Sequence, residues 1–145
     1  MADDCIFCRI LDGAAPASLV HEDDRCVAFL DLFPGNPGHL LVVPRAHAPA
    51  LAELDPDVGA HLFRVGQRLA ATLRQLDDVR CDGLNLFLSD GAVAGQEVWH
   101  VHLHVLPRFS DDGVRLSFGQ TRRAADREDL DRIAARIRAL ATSRA

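Results

Sequence analysis

The sequence predicts an α+β protein built on an antiparallel sheet of about five strands with two main helices. Three observations carry this prediction. Trp99 to Leu106 alternates strictly, with His100, His102 and His104 on one side and Val101, Leu103 and Val105 on the other, the period of a strand with one face in the core. Leu62, Val65, Leu69, Leu73 and Leu76 recur every three or four residues, the spacing of one apolar helix stripe. The elements come in runs (strands, helix, strands, helix), an order that suits an antiparallel sheet better than repeated strand–helix–strand units.

Taken in order, Leu19–Glu22 and Cys26–Leu30 are short apolar segments separated by Asp23-Asp24-Arg25, and they predict a hairpin. Phe33-Pro-Gly-Asn-Pro-Gly38 is dense in turn formers and predicts a loop. His39–Pro44 is an apolar run ended by proline, a strand candidate. Asp55 followed by Pro56 supplies an N-cap and a proline at the first helical position, so the helix runs over Asp57–Leu76. Leu84–Leu88 predicts a strand, Asp90–Gly95 a small-residue loop, and Trp99–Leu106 the last strand, closed by Pro107. A second amphipathic helix covers about Arg127–Leu140, with Leu130, Ile133 and Ile137 on one stripe.

The chain has 145 residues, which fits a single domain over 1–145. Hydrophobic residues make up 48% and charged residues 26%, so a packed core is expected rather than disorder. No run approaches the roughly 18 apolar residues of a membrane span, and the opening MADDCIFC lacks the apolar stretch of a secretory signal. The expectation is a cytoplasmic protein with no membrane partner. The net charge is −5, and Arg122, Arg123, Arg127, Arg132, Arg136 and Arg138 are interleaved with acidic residues. That pattern reads as a solvated helix face, not a nucleic-acid stripe, because gripping a phosphate backbone requires clustered cations. A small anionic ligand stays compatible with this charge.

Two groups of residues carry chemistry. His100-Val-His-Leu-His104 sets three imidazoles on one face of one strand, roughly 6.5–7 Å apart at each step. Packing alone does not call for such a row. Metal binding is one reading and catalysis at a phosphoryl centre the other, since a neutral imidazole attacks phosphorus and a second can serve the leaving group. Cys5 and Cys8 form a CxxC pair, half of a metal site or a redox motif in a reducing compartment. Cys26 and Cys81 lie in or beside apolar runs and read as buried, inert thiols.

The segment Gly95-Gln-Glu-Val-Trp-His-Val-His-Leu-His-Val105 resembles the signature of the histidine-triad (HIT) family. Cys5-Ile-Phe-Cys8, Ala28-Phe-Leu-Asp31, Pro37-Gly-His-Leu-Leu-Val-Val-Pro44 with His47, and Ser89-Asp-Gly91 follow in that family's order. The resemblance covers about Asp4 to Arg108 and is nearest the Hint-like branch with its CxxC-bearing bacterial relatives. It implies the HIT fold and hydrolysis or transfer of a nucleoside monophosphate, AMP-like, from an amine, acyl or phosphate leaving group. By resemblance His102 is the nucleophile that becomes nucleotidylated, His104 contacts the phosphate and serves the leaving group, and His39 tunes the triad's protonation. Asp31 matches the carboxylate that holds the ribose hydroxyls; read without the family it fits a cap or Asx-turn. Phe7, Phe29 and Leu32 match the purine walls, and otherwise read as core. Gln96 and the backbone at Val98 match phosphate contacts.

The chain departs from the family's pattern twice. Ser89 stands where a longer Asn or Gln often reaches the nucleotide, and Glu97 stands where the Hint branch has a Ser or Thr thought to help protonate an amine leaving group. Resemblance also supplies the other half of the CxxC site: Cys5, Cys8, His47 and His100 match a structural zinc centre. A homodimer joined edge to edge through the sheets is likewise implied. Dinucleoside polyphosphate hydrolysis of the Fhit kind is the enzymatic alternative, and a non-catalytic nucleotide sensor with structural zinc is the other.

Overall fold

A computed structural model describes residues 4–116 and 123–142. The chain divides into two units, one reaching to Val114 and one starting at Arg115. In the first, a short helix α1 (Ile6–Leu11) precedes strands β1 (Leu19–Glu22), β2 (Cys26–Leu30) and β3 (Leu40–Pro44). Helix α2 (Pro56–Leu73) follows, then β4 (Gly83–Phe87) and β5 (Leu103–Arg108). All five strands form one antiparallel sheet in the order β1-β2-β3-β5-β4. The second unit contains α3 (Arg127–Thr142), whose Leu130, Ile133, Ile137 and Leu140 are all exposed. Arg127, Arg132, Arg136 and Arg138 are exposed along it, whereas Arg122 lies outside the described residues.

Period-two alternation sorts the sheet's side chains into two clusters. Cys26, Ala28, Leu40, Val42, Leu103 and Val105 pack with Leu62, Val65 and Leu73 of α2 on one face. Val27, Phe29, Leu41 and Val43 pack with Cys5 and Phe7 of α1 on the other. The central strands are therefore covered on both faces. Close contact with α2 depends on Gly66, where an added Cβ would stand 2.9 Å from Leu103 Cδ2.

The hairpin and its bounds agree with the sequence expectation, and its turn is closed from an unexpected direction. Asp23 Oδ1 accepts from the Arg25 and Cys26 N–H groups, while Oδ2 accepts from His21 Nε2 at 2.8 Å and from His61 Nε2 of α2 at 2.7 Å. Burial opposes its charge, but the hydrogen bonds from His61 and His21 win and hold the carboxyl well below its usual range. Asp55 caps α2 as expected, accepting from Asp57 N at 2.8 Å and Val58 N at 3.3 Å. The helix ends at Leu73 rather than Leu76, since Gln75 N–H already turns back to Thr72 O.

Two strand expectations need correction. Trp99–Leu106 is not one continuous strand: pairing begins at Leu103, opposite Val42. Val101 N–H bonds instead to Ala48 O, and His100 N–H to Val98 O. Pro107 also does not end the strand. It pairs with Leu84, beyond the last β3 partner (Val105 opposite Leu40), so its missing N–H costs the β3 ladder nothing. Helix α1 was not expected at all. Among the described residues, no helix is long and apolar enough to cross a membrane.

Candidate active site and metal centre

The histidines gather on the face of the sheet that α1 covers. His39 precedes β3, His104 lies in β5, and His100 and His102 occupy the irregular run leading into β5. The loop holding Asp31 and His39 is pinned by the buried Asn36, whose Nδ2 donates to Pro107 O at 2.8 Å and to Asp112 Oδ2 at 2.9 Å.

Each histidine's tautomer follows from its partners. His102 is 6% exposed and its Nδ1 stands 2.7 Å from the His100 carbonyl oxygen. A carbonyl only accepts, so Nδ1 holds the proton and Nε2 keeps a free lone pair. At His39, Nδ1 accepts the Gly35 N–H at 3.1 Å, so the neutral ring carries its proton on Nε2. That Nε2–H reaches His104 Nδ1 at 3.0 Å, which leaves the proton of neutral His104 on Nε2. Asp31 Oδ2 lies 3.5 Å from His39 Nδ1 at the head of this chain.

Burial sets the charge of these rings. Desolvation pushes the pKa of His39 and His102 below the usual imidazole value, against the pull of Asp31 on both and of the His100 carbonyl on His102. His104 is pushed down to about 4, by desolvation first and then by His102 and His39. These rings are therefore neutral at physiological pH.

Cys5, Cys8, His47 and His100 bring their ligand atoms within 4.8 Å of one another. His100 Nδ1 is 3.3 Å from His47 Nδ1, 3.5 Å from Cys5 Sγ and 3.6 Å from Cys8 Sγ, and Cys8 Sγ is 3.3 Å from His47 Nδ1. A tetrahedral zinc ion with bonds of ~2.3 Å to sulfur and ~2.05 Å to nitrogen sets its donors roughly 3.3–3.8 Å apart. The set fits that ion in type and spacing. His100 Nε2–H donates to Pro44 O at 2.9 Å, which turns the Nδ1 lone pair toward the other three. The other thiols differ: Cys26 is fully buried and its pKa is pushed up to about 12 by burial, while half-buried Cys81 points its S–H at Gly83 O.

The remaining residues fall in distinct places. Phe7 is buried with its ring edge-on to Phe29 at 5.5 Å and to His102 at 5.1 Å. Leu32 is 83% exposed. Asp31 Oδ1 accepts the Phe33 N–H at 3.0 Å, an Asx-turn. Gln96 is buried; its Oε1 accepts from Gly91 N, and its Nε2 donates to Pro49 O and Val98 O. A Cβ added at Gly95 would stand 4.0 Å from Ser89 Oγ, and Glu97 is exposed. The sequence reading missed Phe87, which stacks on His104, because cross-strand pairing leaves no local sequence signal.

The profile of the HIT domain matches residues 12–111, and the chain belongs to the HIT family. It is similar to a zinc-bound histidine triad family protein from Mycobacterium smegmatis, at 36% identity, TM-score 0.75 and full coverage of both chains. A histidine triad nucleotide-binding protein from Candida albicans superposes with TM-score 0.85 at 26% identity, covering 98% of this chain and 100% of its own. The Arabidopsis thaliana adenylylsulfatase HINT3 is 35% identical over 112 residues, which are 77% of this chain and 56% of that protein.

Proposed function

We propose that this protein removes a purine nucleoside monophosphate from an amine, acyl or phosphate leaving group and passes it to water or another acceptor, through a nucleotide held covalently on His102. The observation that carries this reading is the His102 Nδ1 bond to the His100 carbonyl, which leaves a buried neutral Nε2 as a nucleophile. Its lone pair attacks the α-phosphorus, an N–P bond forms, and the bond to the leaving group breaks as His104 Nε2–H donates to it. Water then attacks the same phosphorus and gives its proton to the His104 Nε2 that lost one, the N–P bond breaks, and the His102 Nε2 lone pair is restored. A relative called an adenylylsulfatase and a neighbour called a nucleotide-binding protein support the substrate class.

In this reading Asp31 keeps lone pairs for the ribose hydroxyls beyond its Asx-turn, and Phe7, Phe29 and Leu32 line the purine. Gln96 serves the phosphate by holding the backbone of the loop through Val98, with Ser89 against the same loop. Cys5, Cys8, His47 and His100 hold zinc, which ties α1 and the His47 segment to the triad run and supplies folding energy. Two copies pair along β4, an edge strand flanked by an apolar cleft of about 230 Å³ lined by Leu51, Leu54, Leu62, Phe63, Leu88 and Leu103.

The test is turnover of adenosine phosphoramidate, an acyl adenylate and diadenosine polyphosphates by the wild type and His102→Ala. The expected result is cleavage of the first two, and loss of more than about 99% of turnover in the variant with nucleotide affinity within about tenfold, or ~1.4 kcal/mol. Preference for the dinucleotides would replace the substrate assignment. Binding without turnover would replace the enzyme reading with a sensor.

A further inference from the structure

Phe87 of β4 lies directly opposite His104 of β5 in the antiparallel register. Their rings are nearly parallel, with 5° between planes and centroids 4.3 Å apart. Any apolar side chain would fill that position of the pleat, so strand pairing alone does not require an aromatic ring. A flat ring does something an aliphatic chain cannot: it lies parallel against one face of the imidazole and resists its tilt. His39 Nε2–H holds the same imidazole in its plane through Nδ1 at 3.0 Å. One hydrogen bond at Nδ1 and one ring stacked against the face together fix where Nε2 points.

We propose that Phe87 is a positioning residue, whose flat contact with His104 fixes the imidazole plane and so aims the Nε2–H at the leaving group. This rests on the nucleotidyl-transfer reading of His102 and His104. The charged and titratable groups acting on His104 are His102 in the run before β5, His39 before β3 and Asp31 after β2. Phe87 adds no charge to them; it works by shape and by keeping water off the ring face. Misplacement of a reacting group by about 1 Å costs on the order of a hundredfold in rate, so loss of the platform alone is expected to be visible.

The experiment compares Phe87→Leu and Phe87→Tyr with the wild type, with Phe87→Met replacing the leucine variant if that one does not fold. kcat and KM are measured on adenosine phosphoramidate, and His104 is titrated by ¹⁵N NMR. The aliphatic variant is expected to lose about tenfold in kcat with KM within about threefold, and its His104 to titrate higher than about 4 as water reaches the ring. Tyrosine restores both. An aliphatic variant with unchanged kcat and unmoved His104 overturns the proposal, as does a folded tyrosine variant that restores neither. If the wild type turns nothing over, the titration decides alone. A moved His104 then upholds the positioning role while the nucleotidyl-transfer reading falls, and an unmoved one removes Phe87.

Discussion

His100 and His104 are four residues apart, share a side of the chain and belong to one row of imidazoles, yet they occupy different chemical worlds. At His100 the Nε2–H is spent on Pro44 O and the Nδ1 lone pair faces two sulfurs and another imidazole. At His104 the Nδ1 lone pair is spent on His39 and the proton is left on Nε2. Between them His102 spends its Nδ1–H on a carbonyl and keeps a lone pair. The residue type supplies the same ring three times; the partner of each ring decides which nitrogen is spent and whether a lone pair or an N–H is left over. Function in this row is written in backbone carbonyls and in His39, which local spacing does not show.

The sharpest way to break this division is at the metal end. Cys8→Ser is expected to lower zinc from about one ion per chain to near zero and to give the largest fall in thermal midpoint of any site variant. Structural zinc contributes about 10–16 kcal/mol in small zinc-finger peptides, and even a modest share of that dominates a domain's net stability of about 5–15 kcal/mol. His104→Ala, in contrast, is expected to leave the zinc content at one per chain. Metal analysis of untagged protein grown with zinc checks both, and equal metal loss in the two variants would mean that His100 and His104 belong to one site.

A middle-sized effect is expected at Asp31. If its carboxylate holds the ribose hydroxyls, 2′-deoxy substrates lose roughly ten- to a hundredfold in kcat/KM, the worth of a hydrogen bond to a charged group, ~1.5–3 kcal/mol. Asp31→Ala is expected to remove most of that preference. Equal kcat/KM for the two sugars in the wild type would confine Asp31 to the Asx-turn on Phe33 and the contact with His39.

The smallest effect is on pH and stability. His104 titrates at about 4 in the folded chain and near 6.5 unfolded. As pH falls below ~6.5 the unfolded chain takes up a proton that the folded one refuses. This group's contribution to stability is therefore whole above ~6.5 and declines down to about 4. Denaturant unfolding at several pH values is expected to show a shallower decline over that window in His104→Asn than in the wild type. Identical slopes would mean that His104 is not held neutral by its surroundings.

Much of this arrangement was legible beforehand, for identifiable reasons. The β1–β2 hairpin and the α2 N-cap at Asp55 rest on neighbouring residues, and their signals are local. The gathering of Cys5, Cys8, His47 and His100 became legible through family resemblance, since CxxC alone is half a site. Helix α1 escaped because six residues carry too little periodicity and Cys5 offers no side-chain cap bond. The start of β5 escaped because alternation of side chains persists from His100, whereas pairing with β3 reaches only to Val42, opposite Leu103. Phe87 and Asn36 escaped for the same physical reason: each acts on a residue distant in sequence, Phe87 on His104 and Asn36 on Pro107 and Asp112.

In the proposed mechanism His102, and neither of its neighbours in the row, carries the nucleotide. Rapid quenching of the reaction with adenosine phosphoramidate, followed by intact-mass analysis and peptide mapping at neutral to mildly alkaline pH, tests it directly. An adenylyl adduct is expected on the peptide bearing His102 in the wild type, localised to His102 and absent from His102→Ala. An adduct on His100 or His104, or one that survives in His102→Ala, would contradict it.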